Sequence, residues 1–253
     1  MKKRIRKLTK LRAKGIDGKI RVETGIPNFD SLIGGGFPKN STNLVIGGSG
    51  GGKSIFATQF MIGGMKRGEK CLYITFEEDR EEFFKNMLEF GWDLKDYEKK
   101  GLFVFLQYTP IKVKIMLEEG GGDIESIILR EKISRVVIDS ITSFALLFED
   151  ELSRREAALE LFNMIRKWNS TALLTLEEEP HAVSRSAAAG LEFEVDSIIL
   201  IYFVRRKDQR ERYIEILKMR GTKHSKNIYR FHIAKSGFEI EKKPCINPPQ
   251  SIL

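Results

Sequence analysis

Cysteine is nearly absent from this chain: two in 253 residues, Cys71 and Cys245, form neither a disulfide framework nor a metal-ligand spacing. Histidine is almost as scarce, and with only His181, His224 and His232 available no Ser/His/Asp constellation competes for a catalytic role. Long apolar runs are missing too. None approaches the roughly 20 residues of a membrane span, and no apolar stretch follows the basic N-terminus to make a secretory leader. The expected setting is the cytoplasm. Glutamine is sparse while charged residues reach 31%, a balance that leans toward a thermophilic source. Acids are lacking altogether in residues 1–14, which hold Lys2, Lys3, Arg4, Arg6, Lys7, Lys10, Arg12 and Lys14. Of the 43 Lys and Arg these eight leave 35, equal to the 35 Asp and Glu, so the net charge of +8 belongs to an arm. A basic nucleic-acid face on the core is therefore not indicated. Within the arm Ile5, Leu8 and Leu11 fall three apart. That spacing suits either a short amphipathic helix docking on nucleic acid, membrane or a neighbouring subunit, or a solvated extension.

What is present in quantity is apolar residue, 42%, enough for one large α/β domain. Residues 1–20 read as the arm, 21–243 as the domain and 244–253 as a C-terminal tail. The central stretch is Gly47-Gly48-Ser49-Gly50-Gly51-Gly52-Lys53-Ser54, which fits the phosphate-loop pattern of Gly, four free positions, then Gly-Lys-Ser/Thr. An apolar strand, Asn43 to Ile46, precedes it, and a helix from Ile55 to Met65 with Ile55, Phe56, Phe60 and Met61 apolar follows. Glycines let successive backbone N–H groups curl around an anion at the positive end of a helix. Lys53 then reaches the β- and γ-phosphates, and Ser54 offers its hydroxyl to Mg²⁺. The bland alternative is a flexible Gly-rich turn.

Elsewhere strands and helices alternate. Cys71 to Phe76, Leu102 to Leu106, Arg135 to Asp139 and Thr171 to Leu176 read as buried parallel strands. Helices are expected with Phe83, Phe84, Met87 and Leu88 facing inward, over Ile124 to Ile133, and over Ser153 to Trp168, while Thr109 to Asp123 reads as a loop. From Ser197 onward the texture changes to strands at Ile198–Val204, Tyr213–Met219 and Tyr229–Ala234. The expected fold is an α/β sheet, mainly parallel and flanked by helices, with an antiparallel C-terminal extension.

Asp139, at the end of a buried strand, is the natural Mg²⁺ partner of the loop, although such strand ends are often ordinary. Glu77 and Glu78 emerge from another strand end and suit orientation or deprotonation of a water attacking the γ-phosphate. A helix start that favours acids explains them equally well by local sequence.

Together these residues resemble the KaiC-like branch of the RecA superfamily. The likeness runs from about Thr24 to Ile240. It rests on Thr24-Gly25-Ile26, Phe29-Asp30, Gly34 to Pro38, the phosphate loop, Thr75-Phe76-Glu77-Glu78, Phe90 to Leu94 and Ile138 to Ser143. Its most specific piece is Glu215-Ile216-Leu217-Lys218-Met219-Arg220-Gly221-Thr222-Lys223-His224-Ser225-Lys226. The resemblance implies a RecA-like phosphate-loop NTPase fold and ATP with Mg²⁺ between subunits of a homo-oligomeric ring, typically a hexamer. It also implies a glutamate pair, Glu77 and Glu78, beside the γ-phosphate, one of them the base. The segment carrying Lys218, Arg220, Thr222 and His224 then reaches the neighbour's nucleotide, where a cation stabilises transferring phosphoryl charge.

KaiC clock proteins hold two such domains in tandem, and one is matched here. Where the second clock domain has a Ser-Thr phosphoacceptor pair, this sequence has Glu192 and Phe193. Autophosphorylation is not expected. The favoured function is slow ATP hydrolysis that drives a conformational change read by a protein partner. One alternative is a single-stranded-DNA-binding ATPase like the archaeal RadA paralogs, which the chain also resembles. For it speak only the arm, Arg185 and the hairpin cations Arg205, Arg206, Lys207, Arg210 and Arg212; the stretches Phe144 to Glu151 and Glu177 to Glu194 are apolar or acidic. Another alternative is an ATP-binding regulator that barely hydrolyses.

Overall fold

Central strands here are unbroken apolar runs, and unbroken runs need cover on both faces. The computed structural model describes residues 18–109, 111, 112, 115, 122–148, 150–180, 194–249 and 252. In chain order the elements are β1 (Arg21–Val22), α1 (Phe29–Leu32), β2 (Phe37–Pro38), β3 (Thr42–Gly47), α2 (Lys53–Met65), β4 (Cys71–Thr75), α3 (Arg80–Leu88), α4 (Leu94–Lys99) and β5 (Phe103–Gln107). Then come α5 (Gly122–Glu131), β6 (Arg135–Asp139), α6 (Thr142–Ala145), α7 (Glu151–Lys167), β7 (Thr171–Glu177), β8 (Ser197–Arg206), β9 (Gln209–Met219), β10 (Tyr229–Ala234) and β11 (Gly237–Ile240). β1 and β2 pair with each other. The other nine strands form one sheet, ordered β11-β10-β9-β8-β3-β7-β6-β4-β5. From β8 to β5 the pairings are parallel; β9, β10 and β11 extend the sheet antiparallel. This is the RecA-like arrangement.

Alternation within each strand feeds two cores. Leu44 and Ile46 point to one and Val45 to the other; Val136 and Ile138 are likewise separated from Val137. α5, α6 and α7 cover the first face, with Ile124, Ile128, Phe144, Leu161 and Phe162. α1 to α4 cover the second, with Phe29, Phe56, Phe60, Phe83 and Leu94. Arg135, fully buried, ties α2 to the sheet: it donates to the Phe60 carbonyl (2.7 Å) and the Glu23 carbonyl (2.9 Å) and pairs with Glu69 (2.6 Å). Losing it would unpair two carbonyls and the partly exposed Glu69 carboxylate, at a cost of about 1–3 kcal/mol.

Three expectations need correcting. Leu88, expected inward, is 56% exposed. At about 100° per residue it lies on the margin of the stripe set by Phe83, Phe84 and Met87. Ile111 and Lys112 are helical where a loop was expected; the Thr109 hydroxyl accepts from the Lys112 N–H (3.4 Å) and starts the turn. After Ser197 there are four strands rather than three, because β11 returns from β10 after only Lys235 and Ser236. The stretch read as a C-terminal tail also contributes Ile252, which is buried in the first core. Residues 1–17 of the basic arm, His181, Arg185, the Ala187 to Gly190 run, Glu192 and Phe193 lie outside the described residues.

Candidate active site at the carboxyl ends of the strands

β3 sits at the centre of the sheet, and its chain leaves for β4 past the two intervening strands, β7 and β6. Such a departure opens a crevice at the carboxyl ends of the strands, where open α/β sheets take their ligands. The loop Gly47 to Gly52 lies there. Gly50 and Gly52 hold φ of 72° and 103°, a region L side chains avoid, and a Cβ on Gly52 would stand 2.8 Å from Ile233. α2 then starts at Lys53 with no side-chain cap, whereas Asp79, Asp93 and Asp150 cap α3, α4 and α7. Its first-turn N–H groups are thereby left for an anion. Lys53 is buried; its Nζ donates to the Gly48 carbonyl (3.0 Å) and lies 3.7 Å from the Glu177 carboxylate.

Parallel register brings the acids to the same end. Asp139, the last residue of β6, is buried and accepts from the Tyr73 hydroxyl (2.5 Å) and from the Thr175 hydroxyl. β4 and β7, which carry those donors, flank β6. Burial, and then the Asp139 charge, push the Tyr73 phenol well above its usual range, so it stays a donor. At the end of β4 the Thr75 hydroxyl accepts from the N–H of Glu77 (3.3 Å) and of Glu78 (3.1 Å). The two glutamates then diverge. The Glu77 carboxylate accepts from the Ser143 hydroxyl. Glu78 has one carboxylate oxygen buried with no hydrogen-bond partner among the described residues. Burial first, then Asp139, Glu82 and Glu77, push its pKa up to about 7. Glu77, Glu78 and Asp139 line a cleft of about 340 Å³ with Lys53, Ser49, Ser54 and Ile55.

Two residues of this cleft escaped the sequence reading. Glu177, which begins the stretch read as merely polar, stands opposite Gly47 in register. Arg212, grouped with the hairpin cations, donates to the Gly50 carbonyl (3.2 Å) with its guanidinium 4.2 Å over the Phe203 ring. Its alternation with Ile214 and Ile216, both in the second core, was the available signal. Other hairpin cations are also engaged locally: Arg206 with Glu211, and Arg210 with the Phe203 carbonyl.

Lys218, Arg220, Thr222 and His224 are not brought to this cleft. β9 runs antiparallel to β8, so Lys218 pairs with Ile198 while Ile201 pairs with Gly47. The Arg220 N–H bonds the Asp196 carbonyl (2.8 Å), and the Asp196 N–H bonds the Thr42 carbonyl (2.8 Å). Arg220 is thus level with the start of β3, five residues or about 16 Å before Gly47.

For a metal ion the donors are sparse: no cluster of three or more His, Cys, Asp or Glu forms a site among the described residues. That suits Mg²⁺, which keeps several waters and binds through one or two protein oxygens plus phosphate. Ser54 and Asp139 are the groups that would hold it, and Asp139, with both oxygens already accepting, is suited to contact through water.

Comparison with known proteins gives a consistent answer. The family model described as "ATPase: KaiC" matches residues 22–244. The circadian clock protein KaiC3 of Synechocystis is 35% identical over 246 residues, covering 94% of this chain but 47% of that protein, so the chain spans about half the length of that relative. The UPF0273 protein PH0284 of Pyrococcus horikoshii is 32% identical over 87% of this chain and 93% of its own length. Among solved structures, a KaiC-like protein from Pyrococcus horikoshii (PH0186) superposes with a TM-score of 0.78 at 35% identity, covering 88% of this chain and 99% of that one.

Proposed function

The chain belongs to the KaiC family of ATPases, an ATP-binding branch of the RecA superfamily, and on that premise we propose that it hydrolyses ATP with Mg²⁺ in a ring of its own copies. By resemblance the ring is a hexamer, and its slow turnover drives a conformational change read by a protein partner. The observation that carries hydrolysis, beyond binding, is Glu78: a carboxylate with a buried, unpartnered oxygen and a pKa of about 7, lining the same cleft as Lys53 and Asp139. A base works best when its pKa lies near the working pH.

This geometry supports the following residue roles. The uncapped α2 terminus and the loop amides receive the phosphates, with Lys53 turning from the Gly48 carbonyl to the β- and γ-oxygens. Ser54 and Asp139 would hold Mg²⁺, which would supply neutralisation of phosphate charge. Glu78 takes the proton of the attacking water, and Glu77, held by Ser143, keeps the acidic turn in place. Lys218 and Arg220, at the wrong end of the sheet for their own cleft, act on the neighbour's γ-phosphate. Phosphate release by Glu77→Gln and Glu78→Gln tests the assignment: Glu78→Gln should bind ATP yet barely turn over, and full turnover would remove it as the base.

A further inference from the structure

The segment after β9 is held by the N-terminal part of the chain. Arg21, 5% exposed, donates through Nη1 to the Thr222 hydroxyl (3.0 Å) and to the carbonyls of Gly36 (3.3 Å) and Ile33 (3.5 Å). Lys19 Nζ donates to the Gly221 carbonyl (2.8 Å), and the Ser225 N–H to the Leu32 carbonyl (2.8 Å). Gly221 has φ 59°, a left-handed conformation that favours glycine, and a Cβ there would meet only the movable Lys19 ammonium (2.6 Å). β9 itself prepares this segment. Ile199 pairs with Ile216 but Ile198 with Lys218, which leaves Leu217 as the extra residue of a β-bulge. Ile214, Ile216 and Met219 all enter the second core. Without the bulge, strict alternation would aim Lys218 into that core and Met219 away from it.

We infer that Arg21, assisted by Lys19, is a positioning residue: by clamping Gly221 and Thr222 to the β1–β2 module it fixes the segment that presents Lys218 and Arg220 to the neighbouring protomer's ATP. The inference rests on the intersubunit reading above. The bulge turns Lys218 off its own core, and the clamp sets where the following loop stands. Misplacing a catalytic group by about 1 Å costs on the order of 10²-fold, so a guanidinium that ties the loop's Thr222 hydroxyl to two carbonyls of the N-terminal module matters to rate more than to fold.

The test mixes two variants. Lys53→Ala keeps the 218–224 segment but lacks the phosphate-loop amine; Lys218→Ala/Arg220→Ala has the reverse defect. Phosphate release from Mg²⁺-ATP by the mixture requires the cations of one to meet the cleft of the other. Adding Arg21→Met to the Lys53→Ala partner should lower the mixture's rate about tenfold or more, and Arg21→Lys should recover part of it. Ring mass by light scattering should not change. A mixture equally active with Arg21→Met overturns the inference. So does an Arg21→Met partner that no longer assembles, which would assign Arg21 to assembly instead. If Arg21→Met does not fold, Lys19→Met, altered only at an exposed side chain, decides alone: a lowered rate supports the clamp and an unchanged one overturns it. Silence of the parent mixture overturns the intersubunit reading, and the clamp's role with it.

Discussion

The two ends of the central sheet carry opposite chemistry. At the carboxyl ends of β4, β6 and β7 stand Glu77, Glu78, Asp139 and Glu177, with Lys53 and Arg212 the cations of the cleft they line. At the other end, from the last residues of β9 onward, residues 218–226 hold Lys218, Arg220, Lys223, His224 and Lys226 and no acid at all. About 16 Å of strand separates Arg220 from the level of Gly47. Acids that activate water need cations to balance a transferring phosphoryl group, and in one protomer these halves cannot meet. Each end is therefore half of a site on the proposed reading, completed by another copy.

Substitutions at the two ends should fail differently. The largest effect is expected for Lys53→Ala, which should lose turnover altogether and bind ATP weakly, measured by phosphate release and by a fluorescent nucleotide analogue. Lys218→Ala/Arg220→Ala should cost about 10³-fold in rate, the lower range for a cation supplied in trans, while binding survives. Equal loss of binding at both ends would break the comparison. Glu78→Gln is expected to slow hydrolysis about 10²–10³-fold, in the range of general-base removal, and Glu77→Gln by much less.

The pH profile sharpens the contrast further. Burial, then Asp139, Glu82 and Glu77, raise the Glu78 pKa to about 7, and a base must be deprotonated to act. The rate should climb between about pH 6 and about pH 8 and then level off, and Glu78→Gln should abolish the climb. Cations arriving from a neighbour favour the carboxylate, so Lys218→Ala/Arg220→Ala should move the midpoint upward; a midpoint that does not move speaks against trans delivery. Single-stranded DNA, across a salt series, should leave the rate unchanged, because Arg206, Arg210 and Arg212 of the hairpin are already engaged within the fold. The smallest effect concerns stability. The raised Glu78 pKa means that the folded state holds its proton after the unfolded chain, with the ordinary value of 4.5, has lost it, so stability falls as pH rises from 4.5 to about 7. Glu78→Gln should therefore melt higher than the parent at about pH 8 and alike below about pH 4, where the carboxyl is protonated in both states.

Much of this was legible in the sequence because the informative residues sit where local rules apply. The phosphate loop is contiguous, and Asp139, Glu77 and Glu78 mark the ends of apolar runs, so strand polarity alone delivers them to one edge. Parallel strands betray themselves by lack of alternation, as Cys71 to Thr75 and Arg135 to Asp139 do. Glu177 was not legible, and the alternation of Arg212 with Ile214 and Ile216 gave its face but not its neighbours, since the order of strands around β3 is a long-range property. Leu88 misled because it is the last residue of a nine-residue helix, too short to show where its apolar stripe ends. A role for Lys218 and Arg220 at a neighbour's nucleotide is implied only by the family likeness; the β8–β9 register puts them away from their own cleft. Arg21 gave no sign of itself, because its partners, Ile33, Gly36 and Thr222, are joined only by the fold.

The most direct test of two half-sites is the plain mixture of Lys53→Ala with Lys218→Ala/Arg220→Ala, each inactive alone, assayed for phosphate release with Mg²⁺-ATP. Two half-sites on different copies predict that mixing restores turnover, in step with the mass of the mixed ring. A mixture that assembles and stays silent contradicts that claim.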